Sequence, residues 1–127
     1  MKLTTGVNPY GLTYHLGLMG RGTPRANPNP VGLEGFIELT VELGGKAIEL
    51  WDGWLRELGE DGLRALNERL RALDIVPVIS SGLQHGDIDA CLRYARELGA
   101  DRIRFALTPV LCGDRAAAGR RWHELVA

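Results

Sequence analysis

The chain has 127 residues, 45% of them hydrophobic and 24% charged, and its 15 basic residues nearly balance its 16 acidic residues. This length favours one domain over residues 1–127, and the balanced charge argues against a nucleic-acid partner or an anionic membrane surface. The sequence has no secretory signal pattern and no apolar run long enough to span a bilayer, and Cys91 and Cys112 lack the spacing of a zinc site. We therefore expect a soluble protein of the reducing cytoplasm.

The sequence alternates short strand-like segments with amphipathic helices. The predicted strands are residues 4–7, 46–51, 75–80 and 101–107, and the predicted helices are residues 33–45, 63–74, 88–100 and 114–127. Apolar residues recur at steps of three and four, as Leu63, Leu66 and Leu70 do, which indicates one buried face on each helix. Gly44 and Gly99 suit the left-handed conformation that ends a helix. The alternation predicts an α/β fold with parallel strands.

The connection between the first strand and the first helix, residues 8–32, is long and rich in Gly, Pro and Asn. Connections of this kind usually have about 2–6 residues, and much longer ones often form lids or binding loops. In parallel α/β folds, active sites are built at the C-terminal ends of the strands. We therefore expect residues 8–32 to border a functional site.

Three segments, residues 33–51, 63–82 and 94–106, together resemble the N-terminal half of the xylose isomerase-like TIM-barrel family. The most telling element is the Leu-Gly-Gly turn into the strand that carries Glu49. The resemblance covers nearly the whole chain and rests on a profile of spacing more than on one invariant motif. That family includes sugar-phosphate isomerases and epimerases, hydroxypyruvate and inosose-type enzymes, and the endonuclease IV branch.

The resemblance implies four βα units of a (β/α)8 barrel. A complete barrel has eight strands and typically about 250 residues, so the chain corresponds to half of one. Four open parallel strands leave two unpaired edges and an uncovered face, which a second copy in a homodimer, a partner subunit or the remaining half of the barrel would cover. The way the last helix ends favours a fragment or a partial structure. The alternative fold is a flavodoxin-like open parallel sheet, because four units alone do not prove barrel curvature.

Five residues are predicted to contact substrate at the strand ends: His15, Glu49, Trp51, His85 and Arg104. For Glu49 a site role is favoured over a purely structural ion pair with Arg104, since polar groups inside a barrel are usually paired or functional. For Trp51, packing under a loop and stacking on a sugar are equally supported. His15 is assigned to the long loop, and His85 to a polar turn after the third strand.

Other polar residues near the strand ends receive weaker assignments. Asp52 is interpreted mainly as a cap of the second helix. Ser80 and Ser81 are both expected at the mouth of the barrel, as is Tyr14 beside His15. His123, on the last helix, is given no role.

The isomerase branch of the family holds a divalent metal, and the resemblance implies Mn, Mg, Co or Zn in the complete barrel. The ligands come from later strands, which this sequence does not contain. His15, Glu49 and His85 come one each from separate strands or the loops that follow them, so no metal site and no catalytic residue are assigned within the chain.

The function implied by the resemblance is a sugar or sugar-phosphate isomerase or epimerase that uses metal-assisted proton transfer. This chain would contribute the half that binds the small-molecule carbohydrate and would be inactive alone. Two alternatives stay open. One is a non-catalytic half-barrel assembly module, and the other is a metal-dependent endonuclease or lyase of the same superfamily, which the balanced charge disfavours.

Overall fold

The computed structural model describes residues 4–82, 88–106 and 113–126. The strands are β1 (Gly6–Val7), β2 (Ala47–Trp51), β3 (Val76–Gly82) and β4 (Ile103–Ala106). The helices are α1 (Gly32–Glu42), α2 (Asp52–Ala72), α3 (Ile88–Leu98) and α4 (Arg115–Val126), and a short 3₁₀ helix, Tyr10–Leu12, follows β1. Within the described ranges, none of these helices is long and apolar enough to cross a bilayer.

The four strands form one parallel sheet in the order β1-β2-β3-β4. The predicted α/β class and the parallel direction of the strands are therefore confirmed. In the sheet register Trp51 lies opposite Ser80, and Ser80 lies opposite Arg104. Residues in register on neighbouring strands point to the same face, so these three side chains share one side of the sheet. A sheet of this kind is compatible with half of a barrel and with an open sheet.

The hydrophobic core lies between the sheet and helices α1 to α3. On this side of the sheet Ile48, Leu50 and Ile79 are completely buried. The helices contribute a continuous apolar cluster to the same core: Phe36, Ile37, Leu55, Leu63, Leu66, Leu70, Cys91, Tyr94 and Leu98. The opposite face is less covered, since Glu49 and Val78 are half-buried and Val76 is 48% exposed.

The first three helices end in the same way, at a residue in the left-handed conformation. The φ angles are 67° at Gly44, 55° at Asp74 and 66° at Gly99. In each case the next amide N–H donates to a carbonyl five residues back, from Gly45 to Thr40, from Ile75 to Leu70 and from Ala100 to Ala95. This closure satisfies carbonyls that a helix end leaves unpaired, and it turns the chain directly into the next strand. The predicted roles of Gly44 and Gly99 are confirmed.

Helix α2 begins at Asp52, well before the predicted start at residue 63. A non-helical residue, Gly59 (φ 66°, ψ −174°), divides it into two segments. Glycine has low helix propensity, and the first segment was not predicted as a helix because the region contains Gly53, Gly59 and Gly62. That first segment buries Trp54 and Leu55, and tertiary packing therefore overrides its weak propensity.

Candidate functional site

An ion pair crosses the uncovered face of the sheet, from Arg104 on β4 to Glu49 on β2. The Nη2 and Nε atoms of Arg104 donate to Oε1 of Glu49 at 2.6 and 3.0 Å. The Glu49 side chain is 14% exposed and that of Arg104 is 41% exposed. The pair passes over β3, where Ser80 Oγ accepts a further hydrogen bond from Arg104 Nη2 at 2.9 Å. The structural pairing that the sequence left open for Glu49 is therefore present.

Tyr10, in the 3₁₀ helix after β1, completes this arrangement. Its hydroxyl accepts a hydrogen bond from Arg104 Nη2, and the guanidinium lies 4.6 Å from the centroid of its ring. One guanidinium therefore joins side chains that follow or belong to all four strands. We call Tyr10, Glu49, Ser80 and Arg104 the Arg104 cluster.

The charge of Arg104 is stabilised by its partners. The hydrogen bond to Glu49 is the main cause that raises the pKa of Arg104, and Tyr10 acts in the same direction, whereas burial acts in the opposite one. Arginine is already protonated at every physiological pH, so a raised pKa means that Arg104 is a permanent cation. The cluster consequently contains a fixed pair of opposite charges.

A small cavity, here called the mouth cavity, opens beside the Arg104 cluster at the C-terminal edge of the sheet. Its volume is about 230 Å³, and its lining is Pro9, Tyr10, Thr13, Leu18, Trp51, Ser80 and Gly82. Larger cavities among the described residues, of about 380, 390 and 290 Å³, are lined by no residue of the Arg104 cluster. We assign the candidate site to the mouth cavity because two of its lining residues belong to the Arg104 cluster.

Trp51 lies at the end of β2 and combines the two roles that the sequence left equal. Its indole packs edge-on against Trp54 at 6.1 Å, and the guanidinium of Arg21 in the long loop lies 5.4 Å from its ring centroid. A Cβ at position 53 would lie only 2.2 Å from a Trp51 ring carbon, so this packing requires Gly53. The indole also lines the mouth cavity. Trp51 is thus both held under the loop and available on one side to the cavity.

The structure describes one of the two predicted histidines. His15 is exposed on the long loop, where its carbonyl accepts a hydrogen bond from Val31 at 3.1 Å, and it is not part of the mouth cavity lining. His85 lies outside the described residues. Of the five predicted site residues, the structure brings together Glu49, Trp51 and Arg104.

Two residues that sequence reasoning placed elsewhere form a buried pair behind the site. Ser81 Oγ donates to Asp52 Oδ2 at 2.7 Å, and both residues are almost completely buried. The assignment of Asp52 as a helix cap is wrong, because the N-cap position is held by Trp51 and Asp52 is the first residue of α2. Ser81 was expected at the mouth, but neighbours in a strand point to opposite faces, and it lies on the helical side.

Tyr10 is the residue of the Arg104 cluster that sequence reasoning missed. The signal was its position, since it comes three residues after β1, whereas Tyr14 and His15 were favoured from further along the same loop. Tyr14 is half-exposed, and its carbonyl accepts a hydrogen bond from Asn27 Nδ2 at 3.0 Å.

The acidic and basic groups of the site do not fit a divalent metal. Among residues 4–82, 88–106 and 113–126, no group of three or more His, Cys, Asp or Glu side chains is placed to hold one. Glu49 Oε1 already accepts two hydrogen bonds from Arg104, and a guanidinium cation beside a carboxylate opposes metal binding there. We derive no catalytic step through a metal.

Comparison of the chain with family models, with curated proteins and with solved structures gave no match. The features that bear on function are the Arg104 cluster, the mouth cavity and the resemblance in the sequence.

Proposed function

We propose that the chain is the N-terminal half of a xylose isomerase-like (β/α)8 barrel, and that its strand ends bind a carbohydrate for isomerisation or epimerisation. The strand order supports this, because a barrel follows chain order, whereas a flavodoxin-like sheet has the order 2-1-3-4-5. Helices α1 to α3 bury their apolar residues on one face, as the outer helices of a barrel do.

The observation that carries the proposal is the Arg104 cluster beside the mouth cavity. Polar groups are costly to remove from water unless they are paired, and here they gather at the C-terminal ends of the strands, where barrel enzymes bind substrate. The cavity adds the hydroxyls of Tyr10, Thr13 and Ser80 to an apolar wall. Few polar groups on an apolar wall are typical of sites for small polar ligands.

Each residue has a distinct role in this proposal. The Trp51 indole offers an apolar surface to the carbon skeleton of a sugar, and Ser80 and Tyr10 bind its hydroxyl groups. Glu49 holds the guanidinium of Arg104 in a fixed orientation through charge-assisted hydrogen bonds. Proton transfer is assigned to no residue of this chain, which supplies the substrate-binding half.

The test is an NMR titration of the ¹⁵N-labelled chain with D-xylose. We expect the largest shifts at the Trp51 indole N–H and at the amides of Ser80 and Gly82, which line the mouth cavity. Arg104→Gln should weaken binding by about tenfold or more, since the guanidinium that holds Tyr10 and Ser80 in place is lost. The control Glu68→Gln, on an exposed part of α2, should bind as the wild type does. Shifts confined to the helical side would contradict the proposal.

Turnover gives a second, independent measurement. The chain alone, with Mg²⁺, Mn²⁺, Co²⁺ or Zn²⁺ added, is expected to interconvert no aldose and ketose. Clear activity would contradict the assignment of proton transfer to residues beyond this half.

A second candidate function is a non-catalytic half-barrel that assembles with another copy of itself. The observation that favours it is the exposed Val76 on the face bounded by the edge strands β1 and β4. A copy rotated about an axis along the strands would place its β1 beside β4 and keep all strands parallel. Light scattering, which measures the mass of the particle in solution, distinguishes the two candidate functions. A stable dimer that does not bind sugar favours the assembly module.

A further inference from the structure

Two arginines contact the lining of the mouth cavity, and among the described residues each of them has an acidic partner. Arg104 contacts Tyr10 and Ser80 and is paired with Glu49. Arg21 lies over Trp51 and is paired with Glu57 at 2.8 Å. Each cation therefore has its own carboxylate.

Resting on the proposed function, we infer that this site selects an uncharged polyhydroxylated ligand of single-sugar size and disfavours the phosphate ester of the same sugar. The proposed function alone does not distinguish a free sugar from a sugar phosphate. The charges around the cavity favour the free sugar.

Phosphate groups are bound by arginine or lysine side chains with free N–H groups, or by the N-terminus of a helix. Arg104 already directs Nε and Nη2 to Glu49, whose carboxylate would repel a phosphate dianion placed beside it. Arg21 donates to Glu57 through Nη2 alone, and this carboxylate balances its charge.

The helix that starts next to the cavity offers no anion site either. Helix α2 begins directly after Trp51, but its first residue is Asp52, which is 4% exposed. A buried carboxylate in the first turn occupies the favourable end of the helix dipole and repels a second anion. In the sequence, the segments 83–87 and 107–112 that follow β3 and β4 contain no lysine or arginine.

The size and lining of the cavity agree with a small neutral ligand. Its volume of about 230 Å³ is below the usual range of roughly 300–1,000 Å³ for pockets that hold drug-sized ligands. Three of its residues, Tyr10, Thr13 and Ser80, carry hydroxyls that donate or accept hydrogen bonds without requiring charge. Trp51 and Leu18 provide apolar contact.

The test compares D-xylose, xylitol and D-xylose 5-phosphate in NMR titrations of the whole chain, read at the Trp51 indole and the Gly82 amide. We expect both neutral probes to bind at least about tenfold more tightly than the phosphate ester. The affinity of the neutral probes should not change with salt, because screening affects charged ligands. Tighter binding of the phosphate ester at these residues would overturn the inference and leave the proposed function standing. If none of the probes shifts these residues, both fail.

Two variants test the charge argument directly. Glu49→Gln releases Arg104, and Glu57→Gln releases Arg21, so each should increase affinity for the phosphate ester by about fivefold or more. The pair of Arg21 and Glu57 is largely exposed, so Glu57→Gln is expected to fold normally even if Glu49→Gln does not. The control Glu68→Gln makes the same charge change on an exposed part of α2 and should leave the affinity unchanged. Phosphate affinity that stays at the wild-type value in Glu57→Gln would overturn the inference.

Discussion

Among single residues, Arg104 determines the geometry of the site. Its guanidinium reaches three acceptors on three different elements, Glu49 on β2, Ser80 on β3 and Tyr10 after β1. A lysine in its place would keep the charge, but it would lack the planar fork that serves these acceptors together. The cluster therefore depends on the shape of the side chain as well as on its charge.

We predict that Arg104→Met destabilises the chain by about 1–2 kcal/mol, because it leaves the carboxylate of Glu49 mostly buried without its cation. The pKa of Arg104 is raised in the folded state, so its stabilising effect is complete below the unfolded pKa and is lost only as pH rises through the folded one. Both values lie far above neutrality. Urea unfolding of wild type and variant should therefore give the same difference at about pH 7 and pH 8.5. A difference that shrinks over this range would contradict the prediction.

The sequence identified part of this cluster for a physical reason. Glu49 and Arg104 interrupt buried strands, and a charge in such a place needs a partner, so their pairing was foreseeable. The contribution of Tyr10 was not, because the sequence does not show which residue of a long loop folds back over the strands. The binding partner of Asp52 was missed for a similar reason, since it comes from a different strand.

At the level of the helices and strands, side-chain hydrogen bonds hold the ends of β2 and β3 on both faces of the sheet. On the open face Ser80 joins the Arg104 cluster, and on the helical face Ser81 donates to Asp52 at the start of α2. The second bond attaches α2 to β3 immediately behind Trp51 and Ser80. It therefore fixes the position of the strand ends that line the mouth cavity.

We predict that Ser81→Ala costs about 1–3 kcal/mol, because it removes a hydrogen bond from a buried carboxylate. The matched change Ser80→Ala should cost less, since Arg104 keeps Glu49 and Tyr10 as acceptors. Thermal and urea unfolding of both variants, with Asp52→Asn to complete a double-mutant cycle with Ser81→Ala, would measure the coupling. Equal losses for the two serine variants would contradict the predicted ranking, and no coupling between Ser81 and Asp52 would show that the buried bond contributes nothing.

The boundaries of the elements were predictable where one residue type controls them. Gly44 and Gly99 ended helices as expected because glycine accepts a positive φ without strain. The start of α2 was not predictable, since its first segment is held by the burial of Trp54 and Leu55 and not by local preference.

On the scale of the whole molecule, the described structure has two layers, with the sheet covered by helices on one side. The parallel strand arrangement was predictable from the regular alternation of strands and helices. The two faces of the sheet were harder to assign, because β3 contains both apolar and small polar residues and no simple alternation.

Two neighbouring residues of β3 test this one-sided packing. Ile79 is completely buried against the helices, whereas Val78 is half-buried on the opposite face. We predict a loss of about 2–5 kcal/mol for Ile79→Ala and about 1 kcal/mol for Val78→Ala, measured by urea unfolding of the chain. A loss at Val78 as large as that at Ile79 would mean that the second face is also covered.

The separation of Tyr10 and Arg104 by 94 positions along the chain has a kinetic consequence. Helices and their neighbouring strands form from contacts that are close in sequence, whereas this contact requires both ends of the described sheet to be in place. We therefore expect the mouth cavity to be assembled late in folding, after the layers behind it. A fully formed mouth cavity would then report that the described strands from β1 to β4 have reached their native arrangement.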